Sequence, residues 1–355
     1  FIFVRLKCRN CINKNINKMA DLSTTYLGLK LKNPVIVGAS NLVTDPDTVQ
    51  KIEEAGAAAI VFKSLFEEQI QLERMQHDDQ LEEYNERNAE MISLFPKIEH
   101  AGPELHLTNL RKVVEKVKIP VIASLNCIYD ATWVEYAEKL ASTGVAALEL
   151  NFYDSPREIK KQGKDITDQQ IAVLQKVKHA VNIPVSVKLS PFYTNPLNVI
   201  GRMDETGVEG FVLFNRIFQP DIDIEREELV FPWYLSNEGD HRLALRFTGA
   251  LYGNIKSDVC ANSGILKASD MIQLLLAGAS AVQVVTTLYK NGIGQITNMI
   301  NNLNIWMNKK NYTSIEDFKG KLSKKNINDP FAYKRSQYVD ILMKSHDIFK
   351  KYPLR

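Results

Sequence analysis

The chain has 355 residues, 45% of them apolar, with 44 Lys and Arg against 42 Asp and Glu and only four cysteines. That is ample core material, and the near balance of charge argues against a nucleic-acid binder. The apolar stretches are strand-sized rather than membrane-spanning. Cys8, Cys11, Cys127 and Cys260 lack the spacing of a disulfide framework, so a cytoplasmic location is expected.

Residues 1–18 carry five basic residues and no acidic one, and Met19 begins the ordered pattern; the segment is expected to lie outside the fold. Without its charges the formal +2 becomes −3. Strands are then expected at 33–38, 55–63, 119–123, 143–151, 183–189, 206–215, 258–261 and 277–286. Three of them open on a proline, which a strand tolerates at its first residue. Four share one layout: a helical stretch, a glycine, small residues, then an apolar run ending on Lys63, Asn151, Asn215 or Thr286. Glycine just past a helix C-terminus marks a helix-to-strand joint, and apolar strands alternating with helices indicate a parallel sheet covered on both faces. Eight units predict an α/β fold, a (β/α)8 TIM barrel over 19–304. A doubly wound sheet would call for a G-x-G-x-x-G fingerprint, and none follows a strand.

Two long insertions interrupt this pattern. One follows strand two, where 66–90 holds nine acidic residues against two basic ones. The other follows strand six, 216–248, and includes Trp233 and Tyr234, which suit either a dimer interface or an insert core. Residues 305–355 are basic and are expected to form a helical extension packed on the barrel.

The active site of such a barrel forms where its strands end. One position per strand yields Ala39 and Ser40, Lys63 and Ser64, Asn126, Asn151, Lys188, Asn215, Asn262 to Gly264, and Thr286 and Thr287. Amides and lysines converging on one pocket suit a polar heteroaromatic; no metal cluster and no Ser-His-Asp set is apparent. The last two loops, with Ser263, Gly264, Thr286 and Thr287, have the form of the phosphate cradle of this fold. Lys188 lies inside an apolar strand and must find a partner or a ligand, because burying a lone ammonium is very costly.

These residues, with Asn33-Pro34, Gly38-Ala39-Ser40, Phe62-Lys63-Ser64, Glu149-Leu150-Asn151, Val187-Lys188, Asn215, Thr248-Gly249, Ser263-Gly264-Ile265 and Val285-Thr286-Thr287, resemble the dihydroorotate dehydrogenase family, in particular its soluble class 1 branch and the bacterial dihydroorotate dehydrogenase-like proteins. The resemblance covers about 19–304. It implies FMN, with its phosphate at Ser263-Gly264 and Thr286-Thr287, and a contribution from Gly249. Lys188 is placed at the N1/O2 edge of the flavin, where a cation stabilises the reduced ring. Lys63 is placed near N5 and the substrate carboxylate, and Asn126, Asn151 and Asn215 bridge flavin and substrate.

The substrate half departs from the family. Asp154 stands where class 1 enzymes carry a catalytic cysteine, the usual loop after strand two is replaced by the acidic stretch, and Arg216 follows Asn215. The expectation is an FMN-dependent CH–CH oxidoreductase acting on dihydroorotate or a related small carboxylate. Asp154, Lys63 and Lys188 are its catalytic residues, and Arg216 joins Lys63 and the amides around substrate. A homodimer is expected by analogy, or an electron-transfer partner subunit, with neither membrane nor nucleic acid involved. Two alternatives stand beside it. One is a Schiff-base aldolase with Lys188 as nucleophile, disfavoured by the lack of Asp or Glu on neighbouring strand ends. The other is a flavin-binding protein that has lost its substrate site. On this reading Lys188→Ala keeps the fold and loses flavin chemistry.

Overall fold

The computed structural model describes residues 20–72, 103–153, 159–216, 219–232, 234–344 and 350. The chain opens with an antiparallel hairpin, β1 (Thr24–Tyr26) and β2 (Leu29–Leu31), that the sequence pattern did not reveal. Eight parallel strands follow: β3 (Val35–Val37), β4 (Ala59–Val61), β6 (Val121–Asn126), β7 (Ala147–Phe152), β8 (Val185–Leu189), β9 (Gly210–Leu213), β12 (Asp258–Ala261) and β13 (Ala281–Val284). They pair in that order and β13 returns to β3, so the sheet closes into a barrel. Closure leaves no edge exposed. A short β5 (Leu65–Phe66) adds to the upper end of β6. The expected (β/α)8 barrel is the observed one.

Helices α1 (Pro46–Glu54), α2 (Pro103–Lys116), α3 (Asp130–Ala141), α4 (Gly163–Ala180), α5 (Pro196–Asp204), α6 (His241–Leu251), α7 (Ala268–Ala277), α8 (Thr286–Asn291) and α9 (Gln295–Lys310) surround the barrel. Their starts follow from local chemistry. Pro46 and Pro196 occupy the first helical position, where a missing N–H costs nothing, and the Asp45 and Asn195 side chains before them accept from the Thr48 and Asn198 N–H groups.

Side chains alternate across each strand. On β8, Val185, Val187 and Leu189 join the large apolar layer under the helices, which leaves Ser186 and Lys188 for the interior. The lower interior is apolar, built from Ile36, Val61, Ile122, Val212 and Cys260, and the hairpin closes it from below with Tyr26 and Leu27. The insertion after β9 carries a second hairpin, β10 (Asp221–Asp223) and β11 (Glu228–Val230); Trp233 lies outside the described residues. α9 runs through residue 304, so no structural break falls where the sequence placed the end of the barrel. Beyond it, Ile315 and Phe318 are buried in the main core, Gly320 and Leu322 donate to the Leu275 and Leu276 carbonyls of α7, and α10 (Ser336–Met343) ends the described elements. No helix among the described residues is long and apolar enough to cross a membrane.

Candidate active site

Above its apolar floor the barrel interior turns polar. Glu149 and Lys188, one and seven per cent exposed, point inward from the neighbouring strands β7 and β8, and Gln283 reaches them from β13. The Gln283 amide donates from Nε2 to Glu149 Oε2 at 2.5 Å, and Lys188 Nζ donates to Gln283 Oε1 at 3.4 Å. Lys188 Nζ lies 3.6 Å from Glu149 Oε1, which accepts no hydrogen bond. An ammonium has three donors, and among the described residues Lys188 uses one, at a long distance. Burial, followed by the charge of Glu149, raises the Cys260 thiol well above its ordinary range, so this cysteine stays protonated.

Nearer the rim, Asn215 Nδ2 donates to Asn151 Oδ1 at 2.9 Å, joining the segment just past β9 to β7 across β8. Asn126 is buried at the end of β6. Ser64 is less open than expected, because its hydroxyl pairs with that of Ser124 at 2.7 Å. Lys63 is half-buried two residues past β4 and makes no hydrogen bond among the described residues. His106, in the first turn of α2, stacks edge-on against Phe62 with ring centroids 5.1 Å apart. Burial, then the Lys63 cation, lowers its pKa to about 4, so the ring is neutral. Ala39 and Ser40 follow β3 and are half-buried, with Ser40 Oγ donating to the Gly38 carbonyl at 3.3 Å.

The residues expected to cradle a phosphate lie on the loops after β12 and β13. Ser263 and Gly264 both adopt left-handed backbone, φ +73° and +67°, and Asn262 Nδ2 and Ser263 Oγ both donate to the Phe214 carbonyl. Only glycine fits at 264, since a Cβ there would lie 2.6 Å from Asp240 Cβ and from the His241 nitrogen at the start of α6. Thr286 opens α8 and accepts from Ser236 N and Oγ at 3.2 and 2.8 Å. Thr287 is fully buried and its hydroxyl donates to the Leu266 carbonyl, leaving only its backbone for a ligand. A cavity of about 420 Å³ borders this loop, lined by Asn215, Arg216, Asp240, Asn262 and Ser263 among others. Arg216 Nη1 is buried there without a hydrogen bond, 3.8 Å from Asp240 Oδ2. A larger cavity of about 860 Å³, between α4 and α5, contains none of the predicted site residues and does not mark the mouth.

Two expectations do not survive. Gly249 is not at the mouth: it lies late in α6, where Tyr333 packs so closely that a Cβ would meet its Oη at 2.0 Å. Its role is to admit the C-terminal extension, whose Lys324 N donates to the Gly249 carbonyl. The supposed absence of a carboxylate near Lys188 is also corrected, by Glu149. Asp154 lies outside the described residues. Glu149, Gln283 and Ser236 were not among the expected site residues. A glutamate within an apolar strand was a signal for the first; the other two depend on contacts across the barrel that no local pattern reports. No group of three or more His, Cys, Asp or Glu able to hold a metal occurs among the described residues.

The residues present suit FMN: a cation with unused donors in the interior, amides at the rim, and a left-handed loop beside a cavity with a guanidinium nitrogen that makes no hydrogen bond. The family model described as dihydroorotate dehydrogenase matches residues 21–307. A protein of Thermoplasma volcanium named "Dihydroorotate dehydrogenase B (NAD(+)), catalytic subunit" is 28% identical over 309 residues, covering 85% of this chain and 98% of that protein. Proteins of the same name in Methanosarcina mazei and Methanosarcina acetivorans are 28% identical over 320 residues and 29% over 279, covering 85% and 74% of this chain and 96% and 84% of theirs. The chain belongs to the dihydroorotate dehydrogenase family.

Proposed function

We propose that this oxidoreductase uses FMN to oxidise dihydroorotate to orotate, a CH–CH dehydrogenation in pyrimidine biosynthesis, with a related small carboxylate as the variant reading. The observation that carries it is the buried Lys188 ammonium, facing the barrel interior with donors to spare and in register with Asn151, the partner of Asn215. Ser263, Gly264, Thr286 and the Thr287 backbone would hold the phosphate, with Ala39, Ser40, Ser64 and Asn126 around the ring. When bound, FMN supplies a two-electron acceptor that carries negative charge once reduced. Lys188 would set a positive charge beside the bound group in a site shielded from water, where such a charge acts strongly. Lys63 and Arg216 orient the substrate carboxylate, and the Asn126, Asn151 and Asn215 amides bind its ring. Asp154 takes the proton, the part that rests on its place in the segment 151–156.

The names of the relatives support an NAD-linked partner subunit, and a homodimer remains part of the proposal. Cys127 and Cys260 are buried and in no disulfide, which fits a reducing cytoplasm. Family membership removes the aldolase alternative.

The experiment is an anaerobic titration of the purified, FMN-loaded protein with dihydroorotate, following the visible flavin absorption. Bleaching is expected. A protein that carries FMN and is not bleached would exclude dihydroorotate and favour a different carboxylate.

A further inference from the structure

We propose that Glu149 is a positioning residue that holds the Lys188 ammonium through a shared contact with Gln283 and so limits the positive charge Lys188 presents to a reduced flavin. This rests on the flavin reading above.

Three observations carry it. Glu149 is one per cent exposed, and Lys188 is the only cation whose ion pair with it the structure records among the described residues. Gln283 bridges the two, its Nε2 on Glu149 Oε2 and its Oε1 facing Lys188 Nζ. Gly38 keeps a side chain off that amide, since a Cβ there would lie 3.3 Å from Gln283 Oε1 and 3.0 Å from Val285 Cγ2.

The physical consequence follows from charge balance. A buried carboxylate is tolerated only when paired, so Glu149 and Lys188 form a neutral unit in the resting site. An anion placed against Lys188 then competes with Glu149 for the same ammonium. Removing the carboxylate charge leaves Lys188 wholly available to that anion and favours the reduced cofactor. Glu149→Gln is nearly isosteric and keeps an acceptor for the Gln283 amide.

The test is a double-mutant cycle on full-length protein: wild type, Glu149→Gln, Lys188→Met and the double variant. FMN affinity is read from quenching of FMN fluorescence, the midpoint potential by equilibration with a reference dye, and stability from Tm. Glu149→Gln is expected to shift the reduction equilibrium toward the reduced form at least about tenfold, about 30 mV for a two-electron couple. In the Lys188→Met background the same change is expected to shift it less than about threefold, because the ammonium through which Glu149 acts is then absent. If Glu149→Gln lowers Tm but leaves affinity and potential as in wild type, the pair is structural and the proposal is overturned. Equal shifts in both backgrounds overturn it as well, since Glu149 would then act on the flavin directly. If wild-type protein takes up no FMN, the flavin reading itself falls and takes this proposal with it. Should Glu149→Gln fail to fold, Gln283→Leu removes the bridge and leaves both charges; unchanged affinity and potential in that variant overturn the proposal too.

Discussion

A lysine in the middle of an apolar strand poses a question of charge that the fold has to answer, and Lys188 answers it with Glu149 at 3.6 Å. This revises the expectation for Lys188→Ala. Truncating one partner of a buried pair strands the other and costs about 3–5 kcal/mol, so the variant should lose thermal stability as well as FMN affinity. The Lys188→Met, Glu149→Gln double variant should recover most of the Tm but not the FMN affinity, measured by thermal melts and fluorescence quenching. Recovery of both would remove Lys188 from the flavin site. His106 gives a second prediction. Its pKa, lowered to about 4 from 6.5, means the folded state binds fewer protons than the unfolded state between those values. Stability linked to His106 is therefore complete above about pH 6.5 and is lost as the pH falls toward 4, by an amount on the order of 3 kcal/mol. His106→Phe should flatten Tm against pH across that window, and an unchanged slope would assign the acid sensitivity elsewhere.

At the level of elements, the hairpin of β1 and β2 functions as a plug. Tyr26 and Leu27 are one per cent exposed and pack under the barrel's lower layer. Gly210, at the start of β9, makes room for them: a Cβ there would approach Leu27 Cδ2 to 2.5 Å and Tyr26 Cε2 to 3.1 Å. Gly210→Val is thus expected to overpack the floor and cost about 1–3 kcal/mol, seen as a lower Tm with unchanged FMN affinity, because the plug lies at the opposite end from the strand termini that form the site. A loss of FMN affinity with unchanged Tm would mean that the plug and the site are coupled. The same separation explains Gly249, a family-like glycine whose freedom is used against Tyr333 on the outer face rather than at the mouth.

For the molecule as a whole, an interior that holds a buried ion pair with unused donors gains most from a ligand that completes it. Anything that binds only the folded state stabilises it by mass action, about 2.7 kcal/mol at a hundredfold excess over Kd. Added FMN should accordingly raise the Tm of flavin-free protein by several degrees, in proportion to the logarithm of its concentration, and the increase should shrink in Lys188→Met. No increase at any concentration would contradict the proposed cofactor.

How much of this was legible beforehand depends on the range of the interactions involved. Strand periodicity, prolines at strand starts and glycines at helix ends act within a few residues, so the eight strands, the parallel barrel and the positions of Lys63, Asn126, Asn151, Lys188 and Asn215 at or just past strand ends could be read from the sequence. The Ser263-Gly264 turn was legible for the same reason. The hairpin plug was not, because its three-residue strands carry too little pattern to stand out. Nor could the sequence choose among partners for Lys188: Gln283 lies 95 residues away and meets it only when the barrel closes. Tertiary structure decided that pairing, the binding of Thr286 to Ser236 and the placement of Gly249 away from the site. Each is a contact between segments distant in sequence, set by closure of the sheet and the packing of the extension against it, to which local propensity is blind.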